Sequence, residues 1–358
     1  MRVALFTFVD FWRRGAGHRE RIFSLISYLQ QVTPVVVYYY GNVTPDDYKA
    51  FGLFPKVKFQ FFDGQRHTLA QFAGMVGNSM KKIGIKVCIV EYIELSFLLD
   101  IIPKNTKVFL DTHDLKSERE DHLKVFGLRF RPFTWADELK IMRQYDKVLA
   151  ICKPDYQRIS RNIGVKRTIL VSHAAVFTKK KVRRIVRNIG FVASEYAPNV
   201  EGLIWFIRSV LPRIKHSGIR YNVFGNIKHV TRFGNPECIV FHGFVPNLED
   251  VYFSQDIIIS PVRFGAGIKI KNLEAIANGL PLVTTPHGAR GLELAAERKA
   301  LLICKNEQEF AEALDSLIDS FTLRNDVASE AYKYAREFHS WEACYEPILN
   351  ELKKHELS

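Results

Sequence analysis

Apolar runs alternate with amphipathic stretches along almost the whole chain. Val3 to Val9 forms one continuous apolar run, a glycine-bearing turn follows it, and apolar residues then recur at helical spacing from Glu20 to Gln30. Continuous apolar strands between amphipathic helices are typical of a parallel sheet covered on both faces. The same pattern predicts strands at 34–40, 57–62, 87–91, 108–111, 148–151 and 168–171, with helices at 69–82, 93–102, 134–145 and 154–162.

A charged segment separates this pattern from a second one. Phe177 to Arg184 is dense in lysine and arginine and poor in apolar residues, which is typical of a solvated connection. The alternation then resumes, with strands predicted at 185–193, 221–224, 239–241, 256–260, 282–284 and 300–303, and helices at 198–211, 248–253, 270–278, 307–320 and 325–338. Since 358 residues exceed what one hydrophobic core usually serves, we expect an α/β protein of two Rossmann-like domains facing each other across a cleft. The expected parts are a first domain 1–180, a second domain 181–338, and a C-terminal helix, 339–358, that returns to the first domain.

The stretch from Pro261 to Thr285 carries the clearest candidate chemistry. Two glycines lie between a predicted strand and a predicted helix, so the backbone can approach a ligand and the first helical amides can face it. Lys269 and Lys271 add positive charge where the helix dipole is already positive, which favours a bound anion. Glu274, one turn further on, can accept two hydroxyl donors, as a ribose requires. The pattern predicts a nucleoside diphosphate site.

Composition indicates the class of protein and the state of its cysteines. The hydrophobic fraction of 47% and the charged fraction of 25% are those of an ordinary folded protein. No apolar run reaches the roughly 18 residues that cross a bilayer, and no signal-peptide core precedes Asp10, so we expect a cytoplasmic protein. Five scattered cysteines without a CxxC motif favour reduced thiols over disulfides or a zinc site.

The net charge of +13 is unevenly distributed. The first 185 residues carry +15 and the remainder −2, so the first half faces something negative. A nucleic acid, an anionic membrane surface and a phosphate-bearing substrate all suit such a field. The sequence contains no helix-turn-helix, zinc-finger or RNP-like motif, and we therefore expect no nucleic-acid partner.

Three segments of the second half resemble a known family. They are Gly190–Asn199, Phe241–Asn247 and Pro261–Leu292, and in order and spacing they are similar to glycosyltransferase family 4 of the GT-B fold. The resemblance implies a retaining, metal-independent hexosyltransferase without other cofactors. Its donor would be a nucleotide diphosphate sugar, with UDP favoured over GDP. Its acceptor would be a glycan or lipid-linked glycan of bacterial surface polysaccharide or lipopolysaccharide synthesis, bound by the first domain at the inner membrane face.

Two positions depart from the family pattern. Many relatives carry two glutamates eight residues apart in the long motif, whereas here Ala266 occupies the first position and only Glu274 remains. The arginine and lysine that usually follow the first strand of the second domain are replaced by residues such as Ser194 and Asn199. The charge of the diphosphate must therefore be neutralised from elsewhere, and Lys269 is our first candidate.

The motif and the resemblance together define candidate site residues. His113, in the strand-end sequence Asp111-Thr112-His113-Asp114, joins Lys269 and Glu274 as a catalytic candidate, through a neutral imidazole that hydrogen-bonds the donor sugar or a carbonyl. The donor-binding candidates are Gly15, Gly17, Gly243, Phe244, Val245, Arg263, Gly267, Ile268, Lys271, Gly288 and Arg290. The acceptor-binding candidates are Arg13, Arg14, His18 and Asp114.

Several assignments have simpler alternatives. His113 is equally explained as a loop histidine satisfied by its neighbours, and Asp114 as the residue that orients it or caps the following helix. Arg13, Arg14 and His18 also fit a solvated surface. Helix 69–82 is either a membrane contact or an inward-facing core helix. At the level of the whole chain, the alternatives are a phosphorylase or nucleotide-sugar hydrolase, or a non-catalytic nucleotide- or glycan-binding protein. The oligomeric state is left open.

Overall fold

The chain folds into two compact α/β units. The computed structural model describes residues 2–63, 65–227 and 236–355. Unit 1 is Met1–Ala174 with Trp341–Ser358, and unit 2 is Ala175–Ser340. Each unit contains a parallel sheet with helices, which confirms the predicted class of two parallel α/β domains and a helical C-terminus.

Unit 1 is built on a parallel sheet that is seven-stranded over the described residues. Its strands are β1 (Val3–Thr7), β2 (Val35–Tyr40), β3 (Val57–Phe62), β4 (Val87–Glu91), β5 (Lys107–Asp111), β6 (Lys147–Ala150) and β7 (Thr168–Leu170). They lie in the order β3-β2-β1-β4-β5-β6-β7. The helices are α1 (Gly17–Val32), α2 (Tyr48–Phe51), α3 (Leu69–Ile83), α4 (Lys116–Val125), α5 (Trp135–Met142), α6 (Lys153–Ile163) and, at the end of the chain, α13 (Trp341–Lys354).

Alternate residues of each strand fill the two faces of this sheet. Val3 and Leu5 of β1 belong to one apolar cluster, whereas Ala4 and Phe6 belong to the other. Successive side chains of a strand point to opposite faces, so a strand buried on both sides is apolar throughout. Helix α13 completes the first cluster with Cys344, Tyr345, Ile348 and Leu352. The C-terminal helix therefore belongs to the core of unit 1.

Unit 2 contains a second parallel sheet, six-stranded over the described residues. Its strands are β8 (Asn188–Val192), β9 (Arg220–Phe224), β10 (Ile239–Gly243), β11 (Ile257–Ser260), β12 (Leu282–Thr284) and β13 (Leu302–Ile303), in the order β10-β9-β8-β11-β12-β13. The helices are α7 (Ala197–Trp205), α8 (Leu248–Ser254), α9 (Ile270–Ala277), α10 (Glu293–Glu297), α11 (Glu307–Asp319) and α12 (Phe321–Phe338).

Some predicted helices differ from the observed ones. The predicted helix 198–211 is α-helical only to Trp205, and a π-helical turn (Phe206–Val210) and a 3-10 turn (Leu211–Arg213) follow. The predicted helix 93–102 is a 3-10 helix, Ile93–Ile101. Helix α4 was missed because its charged sequence lacks an apolar period. Within the residues that the structure describes, no helix has both the length and the apolar character to span a membrane.

Candidate functional site

The strand order of unit 2 reverses between β8 and β11. These two strands are parallel neighbours, and the chain leaves them in opposite directions along the sheet, toward β9 on one side and β12 on the other. In open α/β sheets, ligands bind outside the carboxyl ends of the strands at such a reversal. The loop after β8 leads into α7, and the loop after β11, residues 261–269, leads into α9. Both loops belong to the predicted motifs.

The loop after β11 depends on its glycines. Gly265 and Gly267 have φ values of 111° and 65°, in the left-handed region that side chains disfavour. Nζ of Lys269 donates to the carbonyl oxygens of Ala266 and Gly267, at 3.0 and 3.1 Å. Lys269 therefore ties the loop to the start of α9, and Ile268 beside it is buried at 8% exposure.

Lys271 lies at the strand-order reversal itself. Its Nζ donates to Oδ1 of Asn199 on α7 at 2.6 Å and lies 4.5 Å from the ring centre of Phe191 on β8. Burial, with a smaller contribution from the charge of Lys269, lowers the pKa of Lys271 to about 7. An ammonium held in poor solvent is stabilised when an anion approaches. The sequence did not indicate that Lys271, rather than Lys269, is the desolvated lysine.

The carboxylate of Glu274 is held by a tyrosine. The hydroxyl of Tyr252 on α8 donates to Oε2 of Glu274 at 2.7 Å and also lies 3.1 Å from the carbonyl oxygen of Lys271. Tyr252 is 2% exposed, so its ring is fixed in the core. Glu274 thus remains half-buried one turn from Lys271 in a defined position. Sequence reasoning missed Tyr252, which precedes the motif by a whole strand.

The turn after β12 is closely packed and internally bonded. A Cβ at Gly288 would overlap Oγ1 of Thr284. The amide of Gly288 donates to Oγ1 of Thr285, and its carbonyl oxygen accepts from the buried Asn272 of α9 at 2.7 Å. The amide of Arg290 donates to the carbonyl of His287. The amides of Gly288 and Arg290 therefore donate within the turn, and the assignment of these two residues to donor binding stays a prediction.

The remaining donor-binding candidates of unit 2 are Arg263, Gly243, Phe244 and Val245. Arg263 is exposed, forms an ion pair with Glu201 of α7 and lies 5.1 Å from the ring centre of Trp205. Gly243 ends β10 with φ 72°, Phe244 is 62% exposed and Val245 is half-buried. Gly243, Phe244 and Val245 lie at the carboxyl end of β10, which is an edge strand of the sheet.

Unit 1 has its own strand-order reversal, between β1 and β4. Glu91 ends β4 and Asp111 ends the next strand, β5, where the two are register partners. Arg21 of α1 donates from Nε and Nη2 to both oxygens of Asp111, at 2.9 and 2.7 Å. All three side chains are buried, at 1% exposure or less. The sequence had not indicated Arg21 or Glu91, although a glutamate that ends an apolar strand is a usable signal.

His113 joins this buried cluster. Its Nε2 lies 2.6 Å from Oε2 of Glu91, and its ring stacks on Tyr92 at a centroid distance of 4.0 Å. Burial lowers the pKa of His113 to about 4, so the imidazole is neutral at pH 7. His113 and Tyr92 both have positive φ, 58° and 71°. Such strain in residues other than glycine is concentrated at functional sites.

The cluster has the composition of a metal site but not its bonding. One ligand atom each from Glu91, Asp111 and His113 lies within 4.8 Å of the others. Both oxygens of Asp111, however, accept hydrogen bonds from Arg21. A guanidinium in this position competes with a cation for the same oxygens. The donor set therefore does not fit a metal ion.

The arginines of the first glycine turn are paired with carboxylates. Arg13 donates to both oxygens of Asp47, at 2.8 and 2.7 Å, and the pair holds the pKa of Asp47 well below its usual range. Arg14 forms an ion pair with Glu20. Of the other candidates here, Gly15 donates its amide to Glu20, Gly17 begins α1, and His18 is exposed.

Asp114 does not cap the helix that follows it. It accepts from Nη1 of Arg119 at 3.0 and 3.1 Å. The first amides of α4, those of Lys116 and Ser117, donate instead to Glu138 of α5, at 2.8 and 3.0 Å. The capping alternative for Asp114 is therefore wrong, since a residue from a different helix supplies the cap.

Comparison with known families places the second half of the chain. Residues 186–320 match the family model described as Glycosyl transferases group 1. This segment is similar to the group 1 glycosyl transferases. The match confirms the resemblance to group 1 glycosyl transferases, and it covers the glycine loop, Lys271 and Glu274. The assignment to family 4 stays a prediction.

One curated relative and several solved structures extend the comparison. The relative is an "Uncharacterized 44.6 kDa protein in cps region" of Klebsiella pneumoniae, 25% identical over 224 residues, or 59% of this chain. The chain spans 57% of the length of that relative. The TarM structure of S. aureus, a variant with fondaparinux, alpha-GlcNAc-glycerol and UDP bound, has a TM-score of 0.78 at 11% identity, covering 98% of this chain and 99% of TarM.

Two further solved structures have the same fold. HepE of Anabaena, in complex with UDP and glucose, has a TM-score of 0.76 at 14% identity, covering 99% of this chain and all of HepE. WaaG, a glycosyltransferase involved in lipopolysaccharide biosynthesis, has a TM-score of 0.66 at 14% identity, covering 96% of this chain and 98% of WaaG. At these identities the likeness establishes the GT-B class of fold.

Proposed function

We propose that the chain is a retaining hexosyltransferase. It moves a sugar from a nucleoside diphosphate sugar to a glycan or lipid-linked glycan. The observation that carries the proposal is Lys271, whose pKa falls to about 7 at the strand-order reversal of a segment similar to the group 1 glycosyl transferases. An ammonium desolvated in this way costs folding energy, and a bound diphosphate offsets that cost.

The roles of the unit 2 residues follow from their contacts. Breaking the bond between sugar and phosphate builds negative charge on the leaving diphosphate, and prearranged positive charge stabilises it. Lys271 and the N-terminal dipole of α9 supply this charge, whereas Lys269 fixes the glycine loop through the carbonyls of Ala266 and Gly267. Glu274, oriented by Tyr252, accepts the ribose hydroxyls.

We infer that the base is uridine and that no metal takes part. TarM and HepE were both solved with UDP, which supports UDP over GDP. The lysines of the motif supply positive charge that a divalent cation provides in other phosphoryl sites. Activity in the presence of EDTA is the direct test.

The acceptor is proposed from charge and from the relatives. The first 185 residues carry +15, which suits an acceptor with phosphate or acidic groups. WaaG is involved in lipopolysaccharide biosynthesis, and the curated relative is encoded in a cps region. We therefore propose an acceptor of bacterial surface polysaccharide synthesis.

We also propose that unit 1 docks on an anionic lipid surface through residues 124–133. Val125, Phe126 and Phe130 are 79%, 38% and 38% exposed, and Arg129 and Arg131 are exposed beside them. The sequence from residue 122 to residue 134 contains no carboxylate. Aromatic rings and cations together suit the boundary between anionic headgroups and acyl chains.

Helix α3, the earlier candidate for this contact, is a core helix. Phe72, Val76 and Met80 on its apolar face are at most 1% exposed and pack against the sheet. These contacts support the inward-facing alternative. Its C-terminal lysines, Lys81 and Lys82, are exposed, and they make a suitable control.

Transfer itself is tested with purified protein and panels of UDP- and GDP-sugars. Product formation is followed by mass spectrometry with lipid-linked and free glycan acceptors, and the anomeric configuration of the product by NMR. We expect Lys271→Ala to lower kcat/KM by about 10²–10³. Lys333→Ala, on the surface of α12, is the control and keeps wild-type rates.

Four outcomes contradict the proposal. Equal turnover by Lys271→Ala and wild type removes the assigned diphosphate contact. Release of free sugar without transfer indicates a nucleotide-sugar hydrolase, and transfer to inorganic phosphate indicates a phosphorylase. Binding of UDP without turnover of any donor indicates a binding protein.

Docking on lipid is tested by co-sedimentation with vesicles. Wild-type protein is expected to bind vesicles that contain phosphatidylglycerol and not vesicles of phosphatidylcholine alone. Arg129→Glu with Arg131→Glu abolishes that binding, whereas Lys81→Glu with Lys82→Glu, which changes the charge equally, retains most of it. If both double variants lose vesicle binding equally, residues 124–133 are not a specific docking segment, and binding depends only on the net positive charge.

A further inference from the structure

Two buried carboxylates of unit 1 lie side by side, and among the described residues only one of them is bonded to an arginine. Glu91 and Asp111 are register partners on β4 and β5, and each is 0% exposed. Two like charges this close, and away from water, do not both ionise at neutral pH. Arg21 determines which one does, because its guanidinium bonds both oxygens of Asp111. Asp111 is therefore the member of the pair that is bonded to a cation.

Glu91 has the surroundings of a neutral acid. Its Oε2 lies 2.6 Å from Nε2 of His113, and its Oε1 has no hydrogen-bond partner among the described residues. A buried carboxylate anion needs donors at both oxygens, whereas a carboxylic acid needs one acceptor for its proton. Burial, reinforced by the charge of Asp111, raises the pKa of Glu91 well above its usual value.

The imidazole of His113 is neutral as well, and its ring is locked. Burial outweighs the attraction of Asp111 and Asp114 and lowers the pKa of His113 to about 4. Tyr92 stacks on one face of the ring with an interplanar angle of 13°. Both residues have positive φ, which side chains disfavour and which persists only where the surrounding structure imposes it. The surrounding structure thus holds this histidine in one orientation.

We propose that Glu91 is a positioning residue that donates its proton to Nε2 of His113 and so fixes the tautomer with hydrogen on Nδ1. His113 then presents a constant N–H donor and cannot act as a base through that nitrogen. This inference rests on the proposed function in one respect only: the use of the Nδ1–H donor in sugar transfer.

The tautomer is measured directly by NMR of protein labelled with ¹⁵N-histidine. His113→Asn identifies the resonances of His113. We expect a directly bonded proton on Nδ1 and none on Nε2, unchanged between about pH 5.5 and pH 8. The same tautomer is expected in Glu91→Gln, whose amide also donates, whereas Glu91→Leu loses the fixed tautomer. A proton on Nε2 in the wild-type protein overturns the proposal.

Kinetics separate a positioning role from simple loss of structure. With a donor sugar that the wild type uses, Glu91→Gln keeps kcat within about threefold, and Glu91→Leu lowers kcat about 10–100-fold with little change in KM. Glu330→Gln, at an exposed glutamate of α12, is the matched control. Equal kcat for the Gln and Leu variants overturns the positioning role.

The two proposals fail in distinguishable ways. The NMR measurement needs no substrate. It therefore tests the Nδ1–H tautomer whether or not the protein turns over any nucleotide sugar. Absence of transfer with every donor, together with the expected tautomer, contradicts the glycosyltransferase proposal alone. Transfer by a protein whose His113 carries its proton on Nε2 contradicts the assignment to Glu91 alone.

Discussion

The pKa of Lys271 makes the affinity for UDP depend on pH above neutrality. In the free protein, burial and Lys269 hold this pKa at about 7, so the ammonium loses its proton as the pH rises through that value. A bound diphosphate favours the charged form and raises the pKa toward the usual 10.5. Between the free and bound pKa values, binding takes up a proton. Well inside that window each pH unit therefore weakens binding about tenfold, whereas below about pH 7 Lys271 is already charged and its titration no longer changes the affinity.

Isothermal titration with UDP at about pH 7, 8 and 9 measures this effect. The terminal phosphate of UDP is ionised throughout this range, because the second ionisation of a phosphate monoester lies near pH 6. With a free pKa of about 7, the dissociation constant is expected to rise about fivefold from pH 7 to 8 and about tenfold from pH 8 to 9, or about 50-fold in all. Buffers of different ionisation enthalpy report the proton taken up.

Substitution by arginine isolates the cause. Arginine stays charged at every pH in this range, so Lys271→Arg is expected to bind UDP with no slope between pH 7 and 9. Lys333→Arg, at the surface, keeps the wild-type slope. The reasoning is refuted if the wild-type affinity is flat across this range, or if Lys271→Arg retains the slope.

Three stability predictions follow from the buried polar groups. Arg21→Met leaves the carboxylate of Asp111 buried without a cation, and we expect urea unfolding to show a loss of about 3–5 kcal/mol; a loss under 1 kcal/mol contradicts a desolvated pair. Gly288→Ala forces a methyl group against Thr284 and costs about 1–3 kcal/mol, with an unchanged midpoint as the contrary result. Lys271→Met removes a desolvated charge, so at pH 6 it stabilises the chain by about 1–3 kcal/mol while abolishing transfer; destabilisation would mean that the lysine is structural.

The sequence was most informative where burial is complete. Every residue of Val3–Thr7 is buried, and such strands are apolar at all positions, so the pattern identified them and the parallel α/β class. Helix α4 could not be predicted in this way, because its first turn is held by amides that donate to the carboxylate of Glu138 rather than by an apolar face. The π-helical turn after Trp205 likewise has no apolar signature that separates it from a regular helix.

For the candidate site, the sequence predicted the local motifs but not the contacts between residues that are distant in the chain. The spacing of the glycine loop, Lys271 and Glu274 follows from one strand-turn-helix segment. The contact of Arg21 with Asp111 joins positions 90 residues apart, and only the folded sheet brings them together. The sequence favoured Lys269 over Lys271 as the residue that neutralises the diphosphate. The structure favours Lys271, because the two side chains carry the same charge and differ only in the surroundings of Nζ.

The C-terminal helix makes unit 1 discontinuous in the chain, with a consequence for biosynthesis. Cys344, Tyr345, Ile348 and Leu352 enter its core only after the ribosome has synthesised the whole of unit 2. Unit 2 can therefore complete its own packing first, and a fragment that stops at Ala174 exposes the apolar surface that α13 covers. A separately expressed unit 1 should carry residues 341–358 through a short linker.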